Sequence, residues 1–307
     1  MSLATNKEIQ ADARRGAYAV GAFNTSNLEI TQAIIEAAEE ERSPVIVATS
    51  QSAIAYAGIE VLAALVRTMA QKISVPVSLH LDHGTDFDAI MGCIRHGWTS
   101  VMFDGSHEPF AKNVSATQEI VRIAHSAGLS VEAELGRLVG VEDQISVSER
   151  EAALTDPEEA VRFVAETGCD TLAVAIGTSH GAYKFQGEAK LDFERLEMIA
   201  RGVAAQLVLH GASSVIPEIL EKANAYGAQL SGAKGVPPED IQRAVHLGIT
   251  KVNIDTDLRL AFTAATREFL GTHPKIFDPR KIAGAGREAM KAVIKAKMQL
   301  LGSSGKG

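Results

Sequence analysis

Cysteine is scarce in this chain: Cys93 and Cys169 are the only two in 307 residues. Neither has metal-ligand spacing, so thiolate zinc clusters and a disulfide framework are excluded, and both read as small buried apolar residues. Excess positive charge is also lacking. The formal charge of −8 leaves no basic footprint for nucleic acid, although a local cationic pocket can still bind phosphate on an acidic protein. No apolar run approaches the roughly 18 residues that span a bilayer. Met1–Arg15 has no apolar core of a signal peptide, so the expected location is the cytoplasm, with no membrane partner. No Gly-x-Gly-x-x-Gly follows the first apolar run, which weakens a dinucleotide-binding reading.

What is present is an ordinary globular composition, 46% hydrophobic and 22% charged. Short apolar runs alternate with helical periodicities. The runs are Ala19–Asn24, Val45–Thr49, Val77–Leu81, Ser100–Phe103, Ser130–Leu135, Thr171–Ile176, Gln206–Leu209 and Thr250–Ile254. Helices are predicted over Asn6–Arg15, Leu28–Glu41, Ile59–Ile73, Phe87–His96, Phe110–Ala127, Pro157–Thr167, Asp192–Val203, Ile216–Tyr226, Pro238–Leu247, Leu258–Leu270 and Arg287–Leu301. Most strands are apolar throughout, as in a parallel sheet covered by helices. Eight such units predict an α/β fold, a (β/α)8 TIM barrel with additional C-terminal helices, forming a single domain over residues 1–307. The long stretch between Gly136 and Asp156 is expected to be a functional loop.

Polar chemistry concentrates where the strands end. His80-Leu81-Asp82-His83-Gly84 closes the third strand. Side-chain alternation places His80 and Asp82 on one face and Leu81 and His83 on the other, with Gly84 as the turn. A carboxylate and imidazoles at the exit of a buried strand are costly unless paired, and a metal ion or a core hydrogen-bond network would each pair them. Two further His-Gly exits, His180-Gly181 and His210-Gly211, favour the metal. Asp104 and Glu134 end neighbouring strands. Three histidines from three strands match a zinc site with an open coordination position. His96, His125, His246 and His273 sit in or beside helices and read as solvent-facing or structural.

Phosphate is expected at the exits of the seventh and eighth strands of such a barrel. Gly211-Ala212-Ser213-Ser214 and Gly232-Ala233-Lys234-Gly235 offer amides, hydroxyls and a cation there, followed by Asn253, Asp255, Thr256 and Arg259. Taken alone, each of these is also an ordinary turn or helix cap.

Together with Gly21-Ala22-Phe23-Asn24, Ser100–His107, Val131–Gly136, Gly177–Gly181, Leu209–Ser213 and Lys251–Asp257, these motifs resemble those of the class II fructose-bisphosphate aldolases, in the shorter subgroup that includes tagatose-bisphosphate aldolases. The resemblance runs from about Gly21 to the closing helix. It implies a zinc-dependent barrel that reversibly cleaves a ketose 1,6-bisphosphate, as a carbon–carbon lyase, into dihydroxyacetone phosphate and an aldehyde. By that resemblance His83, His180 and His210 hold zinc, and Asp104 and Glu134 match a second divalent site or an alternative zinc position. Asp82 exchanges a proton with the C4 hydroxyl, and Glu142, beside Asp143, moves one at the carbon of dihydroxyacetone phosphate. Gly181, Lys184, Gly211, Ser213, Asn253, Asp255 and Thr256 contact phosphate or hydroxyls, and Ser50 lies near the second phosphate. Arg259 reaches a neighbouring subunit's site, which implies a homodimer or homotetramer. A monovalent cation, Na+ or K+, is expected near the Gly181 and Gly211 carbonyls. Trp98 and Phe103 depart from the family pattern but remain apolar.

The chemistry agrees with that implication. Retro-aldol cleavage leaves a carbanion, which a metal can stabilise as a Lewis acid. The alternative, a Schiff-base lysine, is disfavoured because Lys251 only opens the eighth strand and no other lysine lies in one. The competing readings are a tagatose-1,6-bisphosphate aldolase, a metal-dependent hydrolase, which would carry His-x-His on an early strand, and a non-catalytic sugar-phosphate binder.

Overall fold

The computed structural model describes residues 3–137, 153–179, 191–230 and 234–307, together with the backbone of 140–142 and 145–147. The chain opens with α1 (Asn6–Gly16), β1 (Val20–Asn24), α2 (Leu28–Glu41), β2 (Val45–Thr49), α3 (Gln51–Ala57), α4 (Ile59–Ala70) and β3 (Val77–Leu81). It continues through α5 (Phe87–Arg95), β4 (Ser100–Phe103), α6 (Phe110–Ser126), β5 (Ser130–Leu135), β6 (Gly140–Glu142), β7 (Ile145–Val147), α7 (Pro157–Thr167) and β8 (Thr171–Val174). It ends with α8 (Phe193–Gly202), β9 (Gln206–Leu209), α9 (Pro217–Ala225), α10 (Pro238–His246), β10 (Ile249–Ile254), α11 (Thr256–Thr272) and α12 (Pro279–Leu300).

The parallel strands close in the order β1-β10-β9-β8-β5-β4-β3-β2, as the alternation of runs predicts. One face of each strand packs outward against the helices. Val77, Leu79 and Leu81 of β3 belong to the same buried apolar layer as Leu62, Ile90 and Trp98. The opposite face looks into the barrel and is unusually polar. Ser78, His80, Ser100, Glu132, Thr171 and Lys251 are all fully buried within strands. Trp98 is accommodated outside the barrel wall, where its indole N–H donates to Thr49 Oγ1 at 3.0 Å.

Several helices start where a side-chain oxygen accepts from the first turn. Thr5 and Glu8 form a capping box on α1. Asn27, Asp86 and Asp156 cap α2, α5 and α7. Helix α1 closes the N-terminal end of the barrel, laying Ile9 and Ala13, with Tyr18 just after it, on Val20, Ala22 and Ile46. Among the described residues no single helix is long and apolar enough to cross a membrane, and α3 and α4 meet at 94°. That bend falls at Gly58, with φ +88°.

Four local features correct or add to the sequence reading. A helix, α3, occupies Gln51–Ala57, because Ser50 caps it through Ala53 N and the periodicity of seven residues is too short to read. The closing helix begins at Pro279 instead of Arg287, since Asp278 caps it and proline suits its first turn. The long segment after β5 holds an antiparallel pair, β6–β7. Lys251 lies inside the strand Ile249–Ile254 and is fully buried, so its position does not exclude amine chemistry.

Candidate active site

The third strand ends at Leu81, and the backbone then turns at His83, not at Gly84. His83 has φ +48°, a left-handed conformation that breaks the alternation and swings its ring away from the face of Leu81. Gly84 contributes by its lack of a side chain, since a Cβ there would run into the Met102 carbonyl oxygen. Met102 Sδ accepts from His83 N at 3.4 Å.

This turn brings His83 against His210, the residue after β9. His83 Nε2 and His210 Nδ1 are 2.8 Å apart, with the rings edge to face. Each ring's other nitrogen faces a carboxylate. His83 Nδ1 is 3.1 Å from Asp104 Oδ2, and His210 Nε2 is 2.9 Å from Glu132 Oε1. An ionised carboxylate accepts only, so both of those nitrogens carry N–H. His210 Nδ1 is then the acceptor in its contact with His83 Nε2, and the two nitrogens that meet here are the ones that could turn to a metal ion. Glu134 Oε2 stands 3.9 Å from His83 Nδ1 and 3.8 Å from His210 Nδ1. Two ligand sets emerge, Asp82 with His83 and His210, and His83 with Asp104 and Glu134. Imidazole nitrogen with carboxylate oxygen suits zinc and other divalent first-row metals.

Beneath His210 lies a charged layer. Lys251 Nζ donates to both oxygens of Glu132 at 2.8 Å and to His80 Nε2 at 3.2 Å. Since Lys251 donates to it, His80 Nε2 is an acceptor, and His80 donates from Nδ1 to Ser100 Oγ at 2.9 Å. Burial, reinforced by the Lys251 charge, drives the His80 pKa down to about 3. Burial alone would raise the Glu132 pKa, but Lys251, His80 and His210 hold it well below the usual carboxylate value. For Asp104 too, burial opposes ionisation and is overcome by His83 and by Ser106, so its pKa is lowered. Burial and the neighbouring His83 lower that of His210.

Asp82 sits beside the imidazole pair. Its Oδ1 accepts from Asn253 Nδ2 at 2.7 Å and its Oδ2 from Asn24 Nδ2 at 2.8 Å. Two amides from the ends of β10 and β1 thus fix both oxygens of the carboxylate. Asn24 also lines a cleft of about 520 Å³ with Ser50, Tyr56, Asp255 and Arg259. Arg259 forks onto Asp255, Nε to Oδ1 at 2.9 Å and Nη2 to Oδ2 at 2.7 Å, while its own side chain is 72% exposed. Gly211, at φ +61°, brings the turn after β9 against the Ser179 carbonyl, where a Cβ would lie 2.6 Å away.

The class-II fructose-bisphosphate aldolase family matches residues 4–306. The chain belongs to that family. It is 54% identical over 304 residues to a fructose-bisphosphate aldolase of Thermus caldophilus, covering 99% of each chain. It is 48% identical to one of Helicobacter pylori, again over 99% of each. Among solved structures, the YdjI aldolase of Escherichia coli K12 superposes with a TM-score of 0.82 at 35% identity, over 99% of both chains. A fructose-bisphosphate aldolase of Campylobacter jejuni, at 23% identity and TM-score 0.80 over 100% of this chain and 97% of its own, shares the fold.

For a class II aldolase, the structure gathers most of the residues marked out in the sequence. Asp82, His83, Asp104, Glu134, His210 and Asn253 form one buried cluster. Ser50, Asp255 and Arg259 line the adjoining cleft, Thr256 starts α11, and Ser213 follows Gly211 in the turn after β9. His180, Gly181 and Lys184 lie outside the described residues, as does the Glu142 side chain, although its backbone belongs to β6. The sequence reading gave no role to Glu132, Lys251 or Asn24. A signal for the first existed, because Glu132 shares the strand face of Glu134. Nothing in the local pattern paired it with Lys251, 119 residues away.

Proposed function

We propose that this chain is a zinc-dependent aldolase that reversibly splits fructose 1,6-bisphosphate into dihydroxyacetone phosphate and glyceraldehyde 3-phosphate, a step of glycolysis and gluconeogenesis. The observation that carries the reading is the Asp82 carboxylate, held by Asn24 and Asn253 beside the His83–His210 pair.

His83 and His210, with His180, would hold the metal, and Asp104 and Glu134 would hold a second ion or an alternative position of the first. When bound, the metal supplies electrophilic stabilisation of the charge left on the three-carbon fragment as C3–C4 breaks. Asp82 takes the proton of the C4 hydroxyl as that bond breaks and returns it in the condensation direction. Its two amide partners keep the carboxylate oriented. Glu142, or Asp143 beside it, carries the proton to and from the carbon of dihydroxyacetone phosphate. Gly181, Lys184, Gly211, Ser213, Asn253, Asp255 and Thr256 orient phosphate and hydroxyls, and Ser50 serves the second phosphate. Lys251 is committed to Glu132 as a buried ion pair, which supports metal chemistry over a Schiff base. A homodimer or homotetramer in which Arg259 completes a neighbouring site, a Na+ or K+ ion near Gly181 and Gly211, a single-domain chain and a cytoplasmic location complete the reading.

The test is cleavage of fructose 1,6-bisphosphate before and after EDTA, with zinc add-back and tagatose 1,6-bisphosphate in parallel. Loss to EDTA and recovery with zinc are expected, with fructose bisphosphate preferred. Full activity after verified metal removal would sink the metal assignment. Preference for the tagatose substrate would reassign the sugar.

A further inference from the structure

Val215 is, among the described residues, the one β-branched side chain with a left-handed backbone, at φ +52°. Such a conformation persists only where its surroundings impose it. A single carboxylate receives two amides of this turn. Ser214 N donates to Asp257 Oδ2 at 2.9 Å, and Val215 N donates to Asp257 Oδ1 at 2.7 Å. Asp257 lies in the first turn of α11 and is buried.

Its charge is answered from the far end of the closing helix. Lys297 Nζ meets Asp257 Oδ2 at 2.8 Å and donates to Ser214 Oγ at 2.7 Å. Lys297 is itself 4% exposed, so the pair sits in protein and not at the surface. The Val215 side chain packs beside Leu260. Val236 N donates to the Ser213 carbonyl at 3.1 Å, and Gly235 lies so close to the Ser213–Ser214 backbone that no Cβ would fit. The turn 213–215 is therefore clamped from two sides, and the carboxylate side depends on a lysine from α12.

We infer that Lys297 is a positioning residue for substrate phosphate. Through Asp257 and Ser214 it holds the strained turn that carries Ser213, and so the placement of the phosphate-binding groups depends on the docking of α12. The inference rests on the reading above that Gly211 and Ser213 contact phosphate. A tie that merely fastened α12 to the barrel would lower the melting temperature and leave substrate affinity alone.

The experiment compares Lys297→Met, Ser214→Ala and Ser213→Ala in the metal-loaded enzyme. KM and kcat for fructose 1,6-bisphosphate, competitive inhibition by inorganic phosphate, and amide exchange across 211–216 are measured for each. Lys297→Met is expected to raise KM and the phosphate inhibition constant about tenfold, the worth of one charge-assisted hydrogen bond, with kcat within about twofold. Exchange at Ser214 and Val215 should quicken. Ser214→Ala removes only the hydroxyl and carries the same test should Lys297→Met fail to fold, with a rise of about threefold expected. Unchanged KM and phosphate inhibition in the folded Lys297→Met or Ser214→Ala protein, with both raised in Ser213→Ala, overturns the inference and leaves the phosphate reading standing. Unchanged values in Ser213→Ala overturn the phosphate reading, and the inference falls with it.

Discussion

Glu132 and Lys251 form a fully buried ion pair directly beneath His210, with Nζ 2.8 Å from each carboxylate oxygen. The pair has a directional use. Held by Lys251, Glu132 accepts from His210 Nε2, which leaves His210 Nδ1 as the lone pair facing His83. Outer partners of this kind set the tautomer and orientation of a ligating histidine.

Lys251→Met should cost about 3–5 kcal/mol in urea denaturation, because Glu132 is left buried without its cation. The double variant Glu132→Gln/Lys251→Met should recover a large part of that loss. Equal losses in the single and double variants would show that the charges are not coupled.

Glu132→Gln alone keeps the volume and removes the charge. Zinc affinity, measured by chelator competition, is expected to fall about 10- to 100-fold. An unchanged affinity would mean that His210 is oriented by packing and not by Glu132.

Asp82→Asn should lower kcat by a factor of about 10² to 10⁴, the range for loss of a general acid–base group, while bound metal stays at the wild-type level. Metal lost in proportion to activity would make Asp82 a ligand instead of a proton carrier.

The metal-free protein should lose stability in acid. His80 is held neutral in the folded state down to about pH 3, against an ordinary value of 6.5. Below pH 6.5 the unfolded chain therefore binds a proton that the folded chain refuses. Stability falls as pH drops from 6.5 toward 3, at ~1.4 kcal/mol per pH unit from this group. Replacing His80 with Gln should flatten that part of the profile in urea titrations at stepped pH.

Gly84→Ala should destabilise the fold by about 1–3 kcal/mol, since the added methyl meets the Met102 carbonyl. The same shift disturbs His83, so zinc affinity should weaken with it. A variant with wild-type melting temperature and metal content would show that the turn has slack.

Much of this molecule is legible in its sequence. Short apolar runs between amphipathic stretches mark β2, β3, β4, β5 and β9 at their observed bounds, because burial of both strand faces constrains every residue in them. His83, Asp104, Glu134 and His210 stand at strand exits for the same reason. The tertiary structure decided what those residues face. Strand alternation puts His83 beside Leu81, and only the left-handed turn at His83 brings its ring to His210. Lys251 reads as the opening of a strand, and only closure of the barrel sets it on Glu132. Lys297 reads as one more lysine on an amphipathic helix, and only the docking of α12 sets it on Asp257. Periodicity is local and records which side of an element is buried. The partner of a buried charge depends on how distant elements meet across a closed barrel, and no local pattern carries that information.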